Sequence, residues 1–265
     1  MNVPLTPGHR VRHELRFRLL EVLRVERPTP LVRRVVLGGA ALEGFASLGH
    51  DDHVKLFFPA PGQDVPVLPT PGPNGPVFPP GERPAARDYT PRRFSETELE
   101  IDFVLHGHGP AATWAAQAAP GQQLGVGGPR GSFVPPEGLD WVLLAGDETA
   151  LPAIARRVAE LPATTRAIVL AEVADAAEQQ PLPGAEVRWL HRNGAPPGDP
   201  ALLSAAVAAL ALPPGEGFAW VAAESEVAKA LRALLLEQHG MAKDRIKVAG
   251  YWKRGAVASH ETLND

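Results

Sequence analysis

The sequence predicts a β plus α/β protein: an N-terminal antiparallel β-barrel followed by a C-terminal α/β domain on a parallel sheet. Up to about residue 135, short apolar stretches are separated by Gly, Pro and Asp clusters, the pattern of antiparallel strands and their turns. After about Leu139 each apolar run is followed by a helical pattern, and strands alternating with helices imply a parallel sheet. A length of 265 residues with 45% hydrophobic content provides for two packed cores.

The strands of the first half are read in "RFRLLEVLRVE", "LVRRVVLGG", "HVKLFFP", "LEIDFVLHG" and "QQLGVGGP". The stretch from Pro59 to Ala86 is too rich in proline and glycine for a helix or a central strand. An interdomain linker is the alternative, but the segment before it is too short for a self-sufficient domain. A long loop inside the barrel is therefore predicted, its role left open. The second half reads "WVLLAGD", "ETALPAIARRVAEL", "AIVLAEV", "VRWLHR", "PALLSAAVAALA", "FAWVAAE", "EVAKALRALLLEQHG" and "IKVAGYW" as strands and helices. The boundary falls near Pro135 to Leu139, dividing the chain into 1–136 and 137–265. No solenoid-type repeat is evident.

The chain has no cysteine, which excludes disulfides, thiolate zinc sites, cysteine-held iron–sulfur clusters and cysteine nucleophiles. Redox chemistry would have to come from a bound cofactor. A net charge of -4 gives no global basic field for nucleic acid, and the arginine-rich stretch before Leu37 reads as surface solvation. The opening residues lack the apolar core of a signal peptide, and no run approaches the ~18 apolar residues of a membrane span. A soluble, cytoplasmic protein without membrane insertion is expected.

In "RDYT" the two-residue period of a strand puts Arg87 and Tyr89 on one face, with Thr90 on the other or at the strand's end. Such a set suits a planar cofactor with a phosphate tail: a guanidinium fork for phosphate, a ring to stack and a hydroxyl for the polar edge. A surface strand with incidental polar residues is the alternative. In "LEIDFVLHG" the same period sends Leu99, Ile101, Phe103 and Leu105 one way, and Glu100, Asp102, Val104 and His106 the other. "GHGPAATWAAQ" then reads as a short helix opened by Gly and Pro, whose free N–H groups at Gly109 to Ala112 suit an anion. An ordinary connecting helix with Trp114 packed inside is the alternative, and "HGH" lacks nearby ligands to complete a metal pair. "GVGGPRGSF" misses the G-x-G-x-x-G spacing and has no helix after it, so it reads as a tight turn carrying Arg130. "LLAGDETALPAI" is the better nucleotide candidate, because ligands of open α/β sheets sit at the strands' carboxyl ends. There Gly146 supplies the turn, and Asp147 and Thr149 are either phosphate contacts or a helix cap.

Together, "RDYTPR", "IDFVLHGHGPAATWA", "PGQQLGVGGPRGSF", "DWVLLAGDETALPAI" and "AGYWKRG" resemble, in order and spacing, the siderophore-interacting proteins, flavin-dependent ferric-siderophore reductases of the ferredoxin reductase superfamily. The resemblance runs from about Leu15 to Gly255. It implies a six-stranded FAD-binding barrel, with the flavin facing a cleft between domains, and an NAD(P)H-binding-like α/β domain.

It further implies that Arg87, Tyr89 and Thr90 meet the flavin and its phosphates. His106, Gly109, Pro110, Ala111 and Ala112 would meet the pyrophosphate side, with Asp102, Phe103 and Val104 ahead of them and Trp114 in the helix. Asp147 and Thr149 would meet the far edge of the ring, and Tyr251 and Trp252 would flank the pocket. No protein side chain is expected to act as the catalyst.

NADH or NADPH, or a reduced ferredoxin, would be the donor and a ferric siderophore the substrate. Many ferric siderophores are anionic, so Lys55, Arg130, Lys253 and Arg254 are the candidates for a basic substrate mouth, and a monomer is expected. Glu224 stands where ferredoxin reductases commonly carry a cysteine turn, a cysteine this family also lacks, and Ala223 stands where the family more often has glycine. A nicotinamide gives two electrons while ferric iron accepts one, so an intermediary that passes single electrons is needed, and a flavin is one. A general flavin reductase and a non-catalytic flavin or siderophore carrier are the rival readings. NAD(P)H oxidation that depends on ferric siderophore separates the first reading from both.

Overall fold

A computed structural model describes residues 5–73, 75–81, 83–105 and 109–256, together with the backbone of 261–262. His106 therefore lies outside the described residues. Contacts divide the chain into two compact units, His9–Pro135 and Pro136–Asp265, the latter including the residues up to Gly8. Thr6 forms a β-bridge with Glu137, which ties that first stretch to the second unit.

The first unit contains β1 (His9–Arg12), β2 (Phe17–Thr29), β3 (Val32–Gly38), β4 (Val54–Phe57), β5 (Thr70–Gly72), β6 (Gly75–Val77), β7 (Ala86–Tyr89), β8 (Arg93–Phe94), β9 (Glu98–Val104), α1 (Pro110–Ala116), β10 (Gln123–Gly127) and β11 (Gly131–Val134). Seven strands form one sheet in the order β7-β4-β10-β2-β3-β9-β8, with every neighbouring pair antiparallel. The expected six strands become seven through the two-residue β8. β7 and β8 are the free edges of the sheet, and Pro91 between them has no N–H to join a ladder, so the barrel is a half-barrel.

The period-two rows built its core. Leu20 and Val22, Val35 and Leu37, Val54 and Leu56, Leu99, Ile101 and Phe103, and Leu124 and Val126 all point inward and are buried. The opposite row of β9 is polar yet also buried. Asp102 accepts from Arg34 Nε and Nη2 at 2.7 and 2.9 Å, and Arg92 stands 3.1 Å from it. Glu100 lies 3.5 Å from Arg92.

The proline-rich stretch contains the β5–β6 hairpin and lays Leu68 and Phe78 on the outer face of the sheet. A Cβ at Gly125 would sit 2.2 Å from Leu68, so glycine is what lets this stretch approach. Phe57 meets the Phe78 ring edge-on at 6.1 Å. β1 pairs with β11 outside the main sheet, a pairing that "HRVR" does not announce because its row carries three charged or imidazole side chains to one apolar residue.

The second unit contains β12 (Trp141–Gly146), α2 (Leu151–Glu160), β13 (Arg166–Val173), β14 (Ala185–His191), α3 (Ala201–Ala208), β15 (Gly217–Glu224), α4 (Ser225–Ala233), β16 (Ile246–Trp252) and β17 (Glu261–Thr262). Its sheet order is β14-β13-β12-β15-β16-β17, the first five parallel and β17 antiparallel at the edge. The order reverses at β12, which puts the carboxyl ends of β12, β13 and β15 at the switch point where open α/β sheets take ligands. Gly146 closes β12 there, and a Cβ on it would come 2.2 Å from the Ala222 carbonyl and 2.5 Å from the Ala150 Cβ. Among the described residues no helix is long and apolar enough to cross a membrane.

Candidate functional site

In the first unit the candidate residues gather along edge strand β7 and at the start of α1. Register sets Arg87 opposite Leu56 and Tyr89 opposite Val54. Arg87 is half-buried, and among the described residues its guanidinium bonds only the Ala86 carbonyl, at 2.8 Å. Three or more of its five N–H donors remain for a phosphate. The Tyr89 ring lies 4.5 Å from Phe103, and burial pushes the Tyr89 phenol above its ordinary range. Phe103, Trp114 and Phe58 continue this aromatic layer at 5.7 and 5.8 Å between centroids. Thr90 is buried at the strand's end.

Gly109 precedes α1 in an extended conformation, and among the described residues it has no side-chain cap and nothing within 4 Å of where its Cβ would stand. The first N–H groups of a helix have no intrahelical acceptor, and Pro110 lacks one altogether, so those of Ala111 and Ala112 are the donors this end offers. An uncommitted arginine, a ring and an open helix start together fit the phosphates and flat ring of FAD. The Phe103 ring and the Asp102 carboxylate are fully committed inside the half-barrel, as is the Trp114 indole. Val104 is half-buried at the end of β9. Lys55 is exposed on β4 with its Nζ 2.6 Å from Asp88. Arg130 is exposed in the turn between β10 and β11; Gly127, opposite Lys55 in register, leads into that turn.

In the second unit Asp147 joins three strand ends. Its Oδ1 accepts from the Thr149 backbone N–H at 2.9 Å and from the Thr149 hydroxyl, and its Oδ2 from Trp252 Nε1 at 2.8 Å and the Glu224 N–H at 3.2 Å. Burial pushes the Asp147 carboxyl up, against these donors, which favour its ionised form. In place of the helix cap that was one of the two readings of Asp147 and Thr149, the pair makes a tie across β12, β15 and β16, while α2 starts from Ala150 without a side-chain cap. Glu224 caps α4 by accepting from the N–H groups of Glu226 and Val227, and its other oxygen accepts from the Arg254 N–H at 3.1 Å. Tyr251 meets Trp220 edge-on at 6.1 Å. Lys253 and Arg254 are exposed, and Arg254 Nη2 donates to the Pro197 carbonyl at 3.2 Å.

Sequence reasoning passed over a buried charge cluster at the same strand ends. Gly146 pairs with Ala171, which brings Glu148 and Glu172 together. Arg192, after β14, donates to both oxygens of Glu148 and to Glu172 Oε1 at 3.3 Å. The local signal was an acidic residue closing each of "LLAGDE" and "VLAE", but the shared arginine arrives from a third strand. Burial raises the Glu172 carboxyl to about 7, against the pull of Arg192.

The folded chain therefore holds the Glu172 proton to higher pH than an unfolded glutamate does. The cost of ionising it grows from about pH 4.5 to 7 and is fully present above that window. Glu172→Gln is expected to gain stability relative to the parent between pH 5 and pH 8, by on the order of 2 kcal/mol. Thermal melts at the two pH values check this, and an equal difference at both would contradict it.

An antiparallel half-barrel followed by a five-stranded parallel sheet defines a ferredoxin reductase-like flavoprotein fold. Residues 21–133 match the siderophore-interacting FAD-binding domain and residues 139–255 match the siderophore-interacting protein domain. The chain belongs to the siderophore-interacting protein family. It is 42% identical over 260 residues to the NADPH-dependent ferric-chelate reductase of Escherichia coli K12, covering 95% of this chain and 98% of that one. It is 35% identical to the ferric vibriobactin reductase ViuB of Vibrio cholerae, with 90% of each covered. A crystal structure of a siderophore utilization protein from T. fusca superposes with a TM-score of 0.89 at 44% identity, covering 95% of this chain and 98% of that one.

Proposed function

We propose that this protein is an FAD-containing ferric-siderophore reductase that takes electrons from NADPH or NADH and reduces siderophore-bound Fe(III) to Fe(II). The observation that carries the reading is the uncommitted Arg87 beside the Tyr89 ring and the open start of α1, in a chain of this family. When bound, FAD supplies the exchange between two-electron and one-electron chemistry. The protein's own part is binding and orientation. Arg87 and the N–H groups of Ala111 and Ala112 hold phosphate, Tyr89 and Thr90 meet the ring, and the backbone of 102–104 lies beside it. In the second unit Asp147 and Thr149 are the candidate contacts for the far edge of the ring, with Tyr251 and Trp252 as the candidate pocket residues. NADPH is the favoured donor because the 42% identical relative is NADPH-dependent, with reduced ferredoxin as the alternative. The reading includes action as a monomer in the cytoplasm, the compartment that supplies nicotinamide donors.

The test is NADPH oxidation by the FAD-loaded protein with and without a ferric siderophore, with ferrous iron trapped by a coloured chelator. Oxidation that requires the ferric complex and yields ferrous iron supports the reading. A rate that depends only on added free flavin, or no turnover, would replace it with the flavin reductase or the carrier.

The proposed siderophore-attracting cations are Lys55 and Arg130 in the first unit and, separately, Lys253 and Arg254 in the second. Because Lys55 is already paired with Asp88, Arg130 is the stronger single contributor. Lys55→Ala with Arg130→Ala is expected to raise KM for an anionic ferric siderophore about 10-fold at low salt, with a flatter salt dependence and unchanged flavin content. Steady-state kinetics across ionic strengths decide it, and an unaltered KM would move the mouth elsewhere.

A further inference from the structure

Arg18 belongs to the inward row of β2 that also carries Leu20 and Val22, and it pairs with Val126 of the core. A charged side chain thus occupies an interior position, 6% exposed. Of its five N–H donors, the bonds among the described residues are two long ones, from Nη1 to the Gly128 carbonyl and from Nη2 to the Gly44 carbonyl, both at 3.4 Å. Its Nε is buried with no partner among the described residues, and no carboxylate among them forms an ion pair with it. Phe45 lies 5.5 Å below the guanidinium carbon. Burial and the neighbouring Arg16 charge both pull its pKa down. A buried cation without a counter-charge costs several kcal/mol, so native proteins pair such groups.

Arg18 borders a cavity of about 120 Å³, walled also by His13, Glu14, Arg16, Gly44 and Gly128. One water needs on the order of 10–15 Å³ of such space, so the cavity has room for a polyatomic anion. Glu14 does not supply the missing charge. Its carboxylate is held by Arg16 Nε and Nη2 at 2.9 and 2.7 Å, and it is exposed. His13 is fixed at the wall by a 2.7 Å bond between its Nε2 and the Ser132 hydroxyl, which in turn donates to Asp52.

We propose that this cavity is a binding site for a small oxyanion, a phosphate or carboxylate group, with the Arg18 guanidinium as its principal ligand. The planar fork donates to two oxygens of such a group, and Arg16, itself paired with Glu14, stands at the rim. The geometry of the half-barrel carries this inference, which does not rest on the reductase reading. Free phosphate and the carboxylate arm of a chelator share the chemistry, and two titrations separate them.

The FAD-loaded protein is titrated by calorimetry with inorganic phosphate and, separately, with citrate, at ionic strength held by chloride. Saturable binding of one anion per chain by either is expected, and which of the two binds tells the source. Arg18→Met should weaken it about 10-fold or more, whereas Arg166→Gln, which removes an exposed cation elsewhere, should leave it unchanged. Should Arg18→Met fail to fold, Arg16→Gln at the exposed rim is expected to weaken binding about threefold. Absence of saturable binding to the FAD-loaded protein, or unchanged affinity in Arg18→Met, overturns the site. So does unchanged affinity in Arg16→Gln where Arg18→Met does not fold.

Discussion

Arg87→Ala is expected to weaken FAD binding 10- to 100-fold while leaving the fold intact. The guanidinium spends one donor on its own neighbour's carbonyl and forms no ion pair among the described residues, so truncation removes little from the folded chain. Truncation removes a charge-assisted interaction worth about 1.5–3 kcal/mol in all, which corresponds to the stated range in affinity. Arg87→Lys should recover part of the loss, since it keeps the charge but not the bidentate geometry. Fluorescence titration of flavin-free protein with FAD measures the affinity, with circular dichroism as the control on folding. A loss below about threefold would place the phosphates away from β7.

The largest effect on stability is expected at Asp147. Four donors converge on its two oxygens from Thr149, Glu224 and Trp252, all at buried or half-buried positions. Asp147→Ala leaves them unsatisfied and should cost about 3 kcal/mol or more. Asp147→Asn should not restore it. One side of an amide is a donor, and that side would face either the Trp252 indole N–H and the Glu224 N–H or the Thr149 donors. Urea unfolding of both variants measures the loss. Trp252 fluorescence reports release of the indole, and a change under about 1 kcal/mol in both variants would mean that water takes over the donors.

The contrast between β9 and the Glu148–Arg192–Glu172 cluster shows how far local pattern reaches. Which residues of β9 face the core followed from a two-residue period, because side-chain direction along a strand is fixed by backbone geometry alone. The same holds for the Gly-Pro start of α1 and for the alternation of strand and helix after Leu139. Arg87, Tyr89 and Gly109 could be singled out as candidates because their chemistry and their order are both local properties of the chain.

Partners were another matter. Arg192 is 44 residues from Glu148 and 20 from Glu172, and they meet only because β12, β13 and β14 are neighbours in register. A shift of one residue would turn each side chain to the other face of the sheet. Asp147 read almost as well as a helix cap as it did as a ligand contact, and nothing local pointed to Trp252, 105 residues away, as the donor to its second oxygen. Arg18 sits between apolar neighbours in "RFRLL" on the row of Leu20 and Val22, but nothing local says that the space beside it stays open. Composition and periodicity act over a few bonds, so they specify elements and facing. Counter-charges, orphaned donors and cavities depend on which elements become neighbours, and that is a property of the packed fold.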